Sequence, residues 1–183
     1  EAQCIIVSKL MYLRVLSFHD FRSIETLPKS LCKLYNLQTL KLSKCVKLTK
    51  LPSDMHNLVS LRHLDILGTP IKEMPRGMGK LNHLQHLDFF VVGKQEENGI
   101  KELGGLSNLH GRLEIRNLEN VSQSDEALEA RIMDKKHINN LWLVWSGCNN
   151  HYYIKGIQRR YQRLSKTVLH PSLIRTSLKV ETS

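Results

Sequence analysis

The residues of this 183-residue chain that come nearest to a chemical set are His63, His83 and His86. His83 and His86 form an H-x-x-H, a spacing that can hold zinc when thiolates or carboxylates complete four ligands. No cysteine or further carboxylate stands at a recognised distance, so the histidines read as polar surface residues. The four cysteines, Cys4, Cys32, Cys45 and Cys148, form no C-x-x-C pair and no evenly spaced framework, which points to a reducing compartment. The run Gly77-Met78-Gly79-Lys80-Leu81 imitates a phosphate loop. It lacks the first glycine and the hydroxyl residue of G-x-x-x-x-G-K-[ST], so it cannot build a cradle. Nucleophile elbows and paired-acid motifs are missing too. The sequence offers no catalytic, cofactor-binding or metal-binding residues, which leaves binding as the class of function.

The elements that would position a binding surface are written as a repeat. Leu34-x-x-Leu37-x-x-Leu40-x-Leu42-x-x-Cys45 recurs as Leu58-x-x-Leu61-x-x-Leu64-x-Ile66-x-x-Thr69. Related starts stand at Leu10 and Leu81, giving periods of 24, 24 and 23 residues. That spacing is the leucine-rich-repeat signature. Its L-x-L portion alternates at period two and predicts a short strand with leucines inward. Shorter echoes end in Leu27-Pro28, Leu51-Pro52 and Met74-Pro75. Proline fixes φ and cannot donate, so these segments return the chain without a full helix. The expected fold is an α/β leucine-rich-repeat solenoid, with parallel strands on the concave face and an irregular convex side.

Polar residues between the leucines then line the concave face. One column reads Ser17, Lys41, Asp65, Asp88, and its neighbour reads Val15, Thr39, His63, His86. With strands about 4.8 Å apart, His63 and His86 become stacked neighbours. Phe90 and Val91 continue the fourth strand on this reading. Grammar loosens after residue 92, resumes at Ile100-x-x-Leu103, and carries an extra residue before Leu113-x-Ile115. Ser122-x-x-Asp125 opens a helix predicted to run to about Lys136. Ile138-x-x-Leu141-x-Leu143 is a sixth strand. Trp142 and Trp145 follow it, either as exposed binding anchors or packed into the irregular repeat. Candidate partner-binding residues are Arg14, Lys41, Lys44, Arg62, His63, Asp65, His86, Asp88 and Trp142.

The domain reading is a partial repeat or linker over 1–9, repeats over 10–150, and a basic divergent segment over 151–183. That last segment holds seven Lys/Arg against one acid, out of a net charge of +10. A solvated basic segment is the reading for it, and no nucleic-acid partner is assigned. No run of about 18 apolar residues encodes a membrane span. Glu1-Ala2-Gln3-Cys4 carries neither an initiator Met nor a signal-peptide pattern, which reads as a fragment or a trimmed start. The sequon Asn120-Val121-Ser122 weighs less than the cysteine argument.

Several stretches go beyond generic repeats. Leu34-Tyr35-Asn36-Leu37-Gln38-Thr39-Leu40, Leu61-Arg62-His63-Leu64-Asp65-Ile66, Phe90-Val91-Val92-Gly93-Lys94 and Asn117-Leu118-Glu119-Asn120-Val121 resemble the repeat domain of plant coiled-coil nucleotide-binding leucine-rich-repeat disease-resistance proteins, the RPP13-like kind. The resemblance covers roughly residues 8–148 and fails after Asn150. It implies an intracellular immune receptor, cytoplasmic or at the plasma membrane or nucleus. In it the repeats recognise a pathogen effector or a guarded host protein and restrain the receptor's own nucleotide-binding domain. ATP or ADP would bind that absent domain and not these residues. Two alternatives stand beside it: a leucine-rich-repeat scaffold in other signalling, and a truncated receptor fragment without function.

Overall fold

The computed structural model describes residues 10–122, 124–146 and 151–155, with backbone alone for 124, 133 and 151–155. Strands form where the repeat places alternating apolar residues: β1 (Val15–Ser17), β2 (Thr39–Lys41), β3 (His63–Asp65) and β4 (His86–Leu87) make one parallel sheet in that order. A second sheet holds β5 (Phe89–Val91), β6 (His110–Arg116), β7 (His137–Val144) and β8 (His151–Lys155). There β5, β6 and β7 run parallel, and β8 folds back antiparallel onto β7.

A left-handed residue turns the chain just past β1, β2, β3 and β6. Asp20, Lys44, Gly68 and Asn117 have φ of 59°, 61°, 75° and 59°. Gly carries no Cβ and Asp and Asn bond locally, so three of the four suit that conformation; Lys44 is the exception. The chain then returns through 3₁₀ turns at Lys29–Lys33, Met55–Asn57, Met78–Lys80 and Ile100–Gly105. Pro28 and Pro52 precede two of them, and their carbonyls accept the amides of Leu31 and Met55. Leu34, Leu58, Leu81 and Leu106 close the turns with ψ between 56° and 67°, so the first leucine of each repeat ends one unit and begins the next.

The inward leucines join into one continuous core in which Leu34, Leu37, Leu40, Leu58, Leu61 and Leu64 are fully buried. Neighbouring repeats are also tied by side chains. Asn36 Nδ2 donates to the Met11 carbonyl, and Asn108 Nδ2 to that of Asn82. Cys45, fully buried, donates its Sγ–H to the Phe18 carbonyl at 3.0 Å. On the convex side the turns approach so closely that a Cβ on Gly105 would lie 2.1 Å from the Gly79 carbonyl oxygen.

Two expectations are corrected. The fourth strand does not run on through Phe90 and Val91: a bend at Asp88 ends β4, and β5 begins in the other sheet. The bend reverses side-chain parity, because Phe90 pairs with the core residue Ile115 while Phe89 takes the row of Glu114. Phe90 is therefore core and not concave, and Val91 is buried as well. The helix α1 (Ser124–Glu129) stops well before Lys136. Arg131 turns left-handed at φ 48°, and a 3₁₀ turn follows at Ile132–Asp134. The cause lies at Lys135, which is buried and donates Nζ to the carbonyls of Leu103 (2.6 Å) and Leu106 (2.9 Å). Of the two readings open for the tryptophans, Trp145 takes the packed one: it is in the core, 8% exposed. The faint repeat at His170-Pro171-Ser172-Leu173, like Cys4 and Cys148, lies outside the described residues.

Candidate interaction surface

The register aligns the predicted columns as far as Asp65 and His86, whereas Asp88 falls at the bend after β4 and is not in register with Asp65, and Trp142 lies on the second sheet. Val15 pairs with Thr39, Thr39 with His63, and His63 with His86; Ser17 pairs with Lys41, and Lys41 with Asp65. The His63 and His86 rings stack at 6.5 Å between centroids, inclined by 29°. Burial pulls the His63 pKa below the usual imidazole value, helped by His86, Arg62 and Lys41 nearby. His86 goes the other way: its Nε2 lies 3.3 Å from Asp88 Oδ1, and that hydrogen bond raises its pKa against the opposing effect of burial. His83 lies in the turn before β4 and not in this column.

Asp88 is the joint between the sheets. Its Oδ2 accepts the amides of Ile66 (2.8 Å) and Leu67 (3.0 Å), a place a strand carbonyl would otherwise fill. Its own carbonyl turns to the second sheet and accepts the Glu114 amide. Burial alone would raise this carboxyl, but His86 and the two amides outweigh it and hold the pKa below the ordinary value. The carboxylate is thus occupied within the fold.

Asp65 is occupied too. Ser43 Oγ donates to Asp65 Oδ2 at 2.8 Å and lies 2.7 Å from His19 Nδ1. A hydroxyl has one proton, so His19 must donate through Nδ1. Serine, histidine and aspartate meet here, but the order differs from a nucleophilic triad: the serine sits in the middle and hands its proton to the carboxylate. Ser43 is also buried, so the relay reads as a clasp across three repeats.

On the second sheet, Trp142 is half-buried beneath Arg112, whose guanidinium lies 5.3 Å from the ring centre. Arg116 covers Phe89 at 3.7 Å, and Glu114 ties the pair, 2.7 Å from Arg116 Nε and 3.7 Å from Arg112. Sequence reading missed this cluster, and it missed the stacked pair His110–His137 at 4.8 Å. The extra residue before Leu113 did not signal it, because the residue left unpaired at the register shift is Asn139 on β7. It is the register shift at Gly111/Arg112 that sets His110 opposite His137.

The remaining chemistry motifs are engaged elsewhere. The Gly79 amide donates to Glu102 Oε2 at 2.7 Å, so this glycine turn faces a carboxylate and not a phosphate. The side chain of Asn120, in the sequon, donates to the Val92 carbonyl. Among the described residues no three His, Cys, Asp or Glu side chains converge as a metal set, and no helix is long and apolar enough to cross a membrane.

Repeating strands, 3₁₀ returns and one shared leucine core define a leucine-rich-repeat array. The chain belongs to that family: the leucine-rich repeat region model matches residues 2–179. A disease resistance protein of Arabidopsis thaliana is 44% identical over 136 residues, 73% of this chain and 10% of its own length. An RPP13-like disease resistance protein from the same plant is 48% identical over 122 residues, 67% of this chain and 12% of that one. The chain thus spans about a tenth of these relatives. Among solved structures, a leucine-rich-repeat protein of Leptospira interrogans aligns with a TM-score of 0.46 at 20% identity, covering 63% of this chain and 33% of that one.

Proposed function

We propose that these repeats are part of an intracellular plant immune receptor. In it they contribute to recognition of a pathogen effector or guarded host protein, and to restraint of an adjoining nucleotide-binding domain. The observation that carries this reading is the 48% identity to an RPP13-like disease resistance protein across the repeats. The strand face supports it, because Arg14, Lys41, Lys44 and Arg62 are exposed along consecutive strands, where a protein partner can reach them. A role in a cytoplasmic receptor also suits the buried thiols of Cys32 and Cys45, neither of which is in a disulfide.

The test uses the receptor that carries these repeats, expressed in leaves with Lys41→Glu and Arg62→Glu. Cell death without pathogen and binding of the co-expressed partner are both measured. The expected result is a change in at least one of them. An unchanged outcome in both would remove the charged face from the mechanism.

A further inference from the structure

The strand face holds acids and bases in similar number, but their availability is very different. Asp20 pairs with Arg22 at 3.0 Å. Asp65 accepts from Ser43, Asp88 accepts two backbone amides and faces His86, and Glu114 is held between two arginines. Each of these carboxylates has a partner inside the fold.

The cations of the first sheet have no ion pair of this kind among the described residues, although Lys44 lies near enough to Asp20 to help lower its pKa, after Arg22. Arg14, Lys41, Lys44 and Arg62 are all exposed, and none is within ion-pair distance of a carboxylate among the described residues. Lys41 stands in register with Asp65 and still does not pair with it. The backbone explains why these side chains stay together: Arg14 and Arg62 flank Gln38 in one row, since the Gln38 amide donates to the Arg14 carbonyl and the Arg62 amide to that of Gln38. Lys41 lies on the intervening strand, and its charge, with that of Arg62, is felt at His63. Arg14 and Arg62 thus stand two strand spacings apart, about 10 Å, and Lys41 lies three residues farther along the intervening strand, so the cations form a spread patch on this face. A ligand bearing several carboxylates along an extended backbone reaches these spread cations together and offers each a counter-charge.

We propose that the strand face of the first three repeats is a docking surface for an acidic polypeptide segment, met by Arg14, Lys41, Lys44 and Arg62. It rests on the receptor reading above for its biological setting and names the partner chemistry of that surface. A protein segment fits better than a nucleic acid because the aromatic side chains of the outward columns, His63 and His86, already stack on each other, and Asp65 sets among the cations a negative charge that phosphates would meet.

The experiment measures binding of fluorescent poly-L-glutamate to the full chain by anisotropy, with an oligo-dT probe at the same ionic strength. Lys41→Glu/Arg62→Glu and Lys41→Gln/Arg62→Gln are compared with Lys33→Glu/Lys80→Glu, which changes net charge equally on exposed 3₁₀ turns. Circular dichroism verifies that each variant is folded. The expected result is that the strand-face reversal weakens poly-L-glutamate about tenfold or more, and the turn reversal less than about twofold. Equal weakening by both reversals would assign binding to net charge or to the basic segment beyond residue 150, and overturn the proposal. So would absence of binding at low salt, or tighter binding of oligo-dT. Because no immune readout enters, failure here leaves the receptor reading standing, and failure in leaves does not touch this result.

Discussion

Asp88 does with its side chain what a strand does with its backbone. Replacing it with Ala leaves the Ile66 and Leu67 amides without their acceptor, and a buried donor left unpaired costs about 1–3 kcal/mol. We therefore expect Asp88→Ala to lower stability by about that amount in urea unfolding. Asp88→Asn keeps an acceptor oxygen but loses the charge, so the His86 pKa should fall in an NMR titration. The signs of the two titrations differ. The lowered Asp88 pKa contributes stability present above the unfolded carboxyl value of 3.8 and lost as pH falls through the folded value. The raised His86 pKa contributes stability present below 6.5 and lost as pH rises through its folded value. Lys135 behaves as the reverse case. Burial lowers its pKa from 10.5 to about 8, so the folded state binds fewer protons between those values and stability rises with pH across that window. The difference between the native chain and Lys135→Met should show this slope. A flat difference would mean the amine keeps its proton through its two carbonyl bonds.

At the level of elements, the strands of the first three repeats and their columns were legible because leucine spacing reports parity directly. Phe89-Phe90-Val91 was not, since an apolar run has no parity of its own and the bend that decides it depends on what Asp88 bonds. The end of α1 was hidden for a similar reason: Ala127, Leu128, Ala130 and Ile132 suit a helix, and it is a lysine reaching two carbonyls of another turn that redirects the chain. The candidate site was half legible. Positions of Lys41, Arg62 and His63 follow from the period, whereas the internal partners of Asp65 and Asp88 come from Ser43 and from backbone amides two dozen residues away. Glycine contacts give a test of the convex side. Gly105→Ala forces a Cβ to 2.1 Å from a backbone oxygen, and crowding of that kind costs about 1–3 kcal/mol. Gly111→Ala meets nothing within 4 Å but keeps φ at +74°, a strain of about 1–2 kcal/mol. Thermal melts should rank Gly105→Ala as the more damaging change.

For the whole molecule, stability is a sum over neighbouring repeats, and the two sheets meet at one point in that sum. Hydrogen exchange should therefore show lower protection for the Ile66 and Leu67 amides, bonded to a side chain, than for Leu42 and Lys44, bonded to the carbonyls of Asp65 and Leu67. Equal protection would mean that the joint is as firm as the ladder. Charge is also distributed at this scale: the exposed cations of the first sheet and the arginine-covered aromatics of the second make two chemically different halves of one face.

The asparagine ties and the shared leucine at each turn have a consequence for how such a chain can lengthen. Each unit closes on a leucine in the same conformation as the one that opened it. A second copy of residues 34–57 spliced in after Asn57 would therefore meet matching geometry at both joins. The array would grow by one rung with its core continuous. A duplicate spanning Asp88 would find no matching join, because that joint is built once.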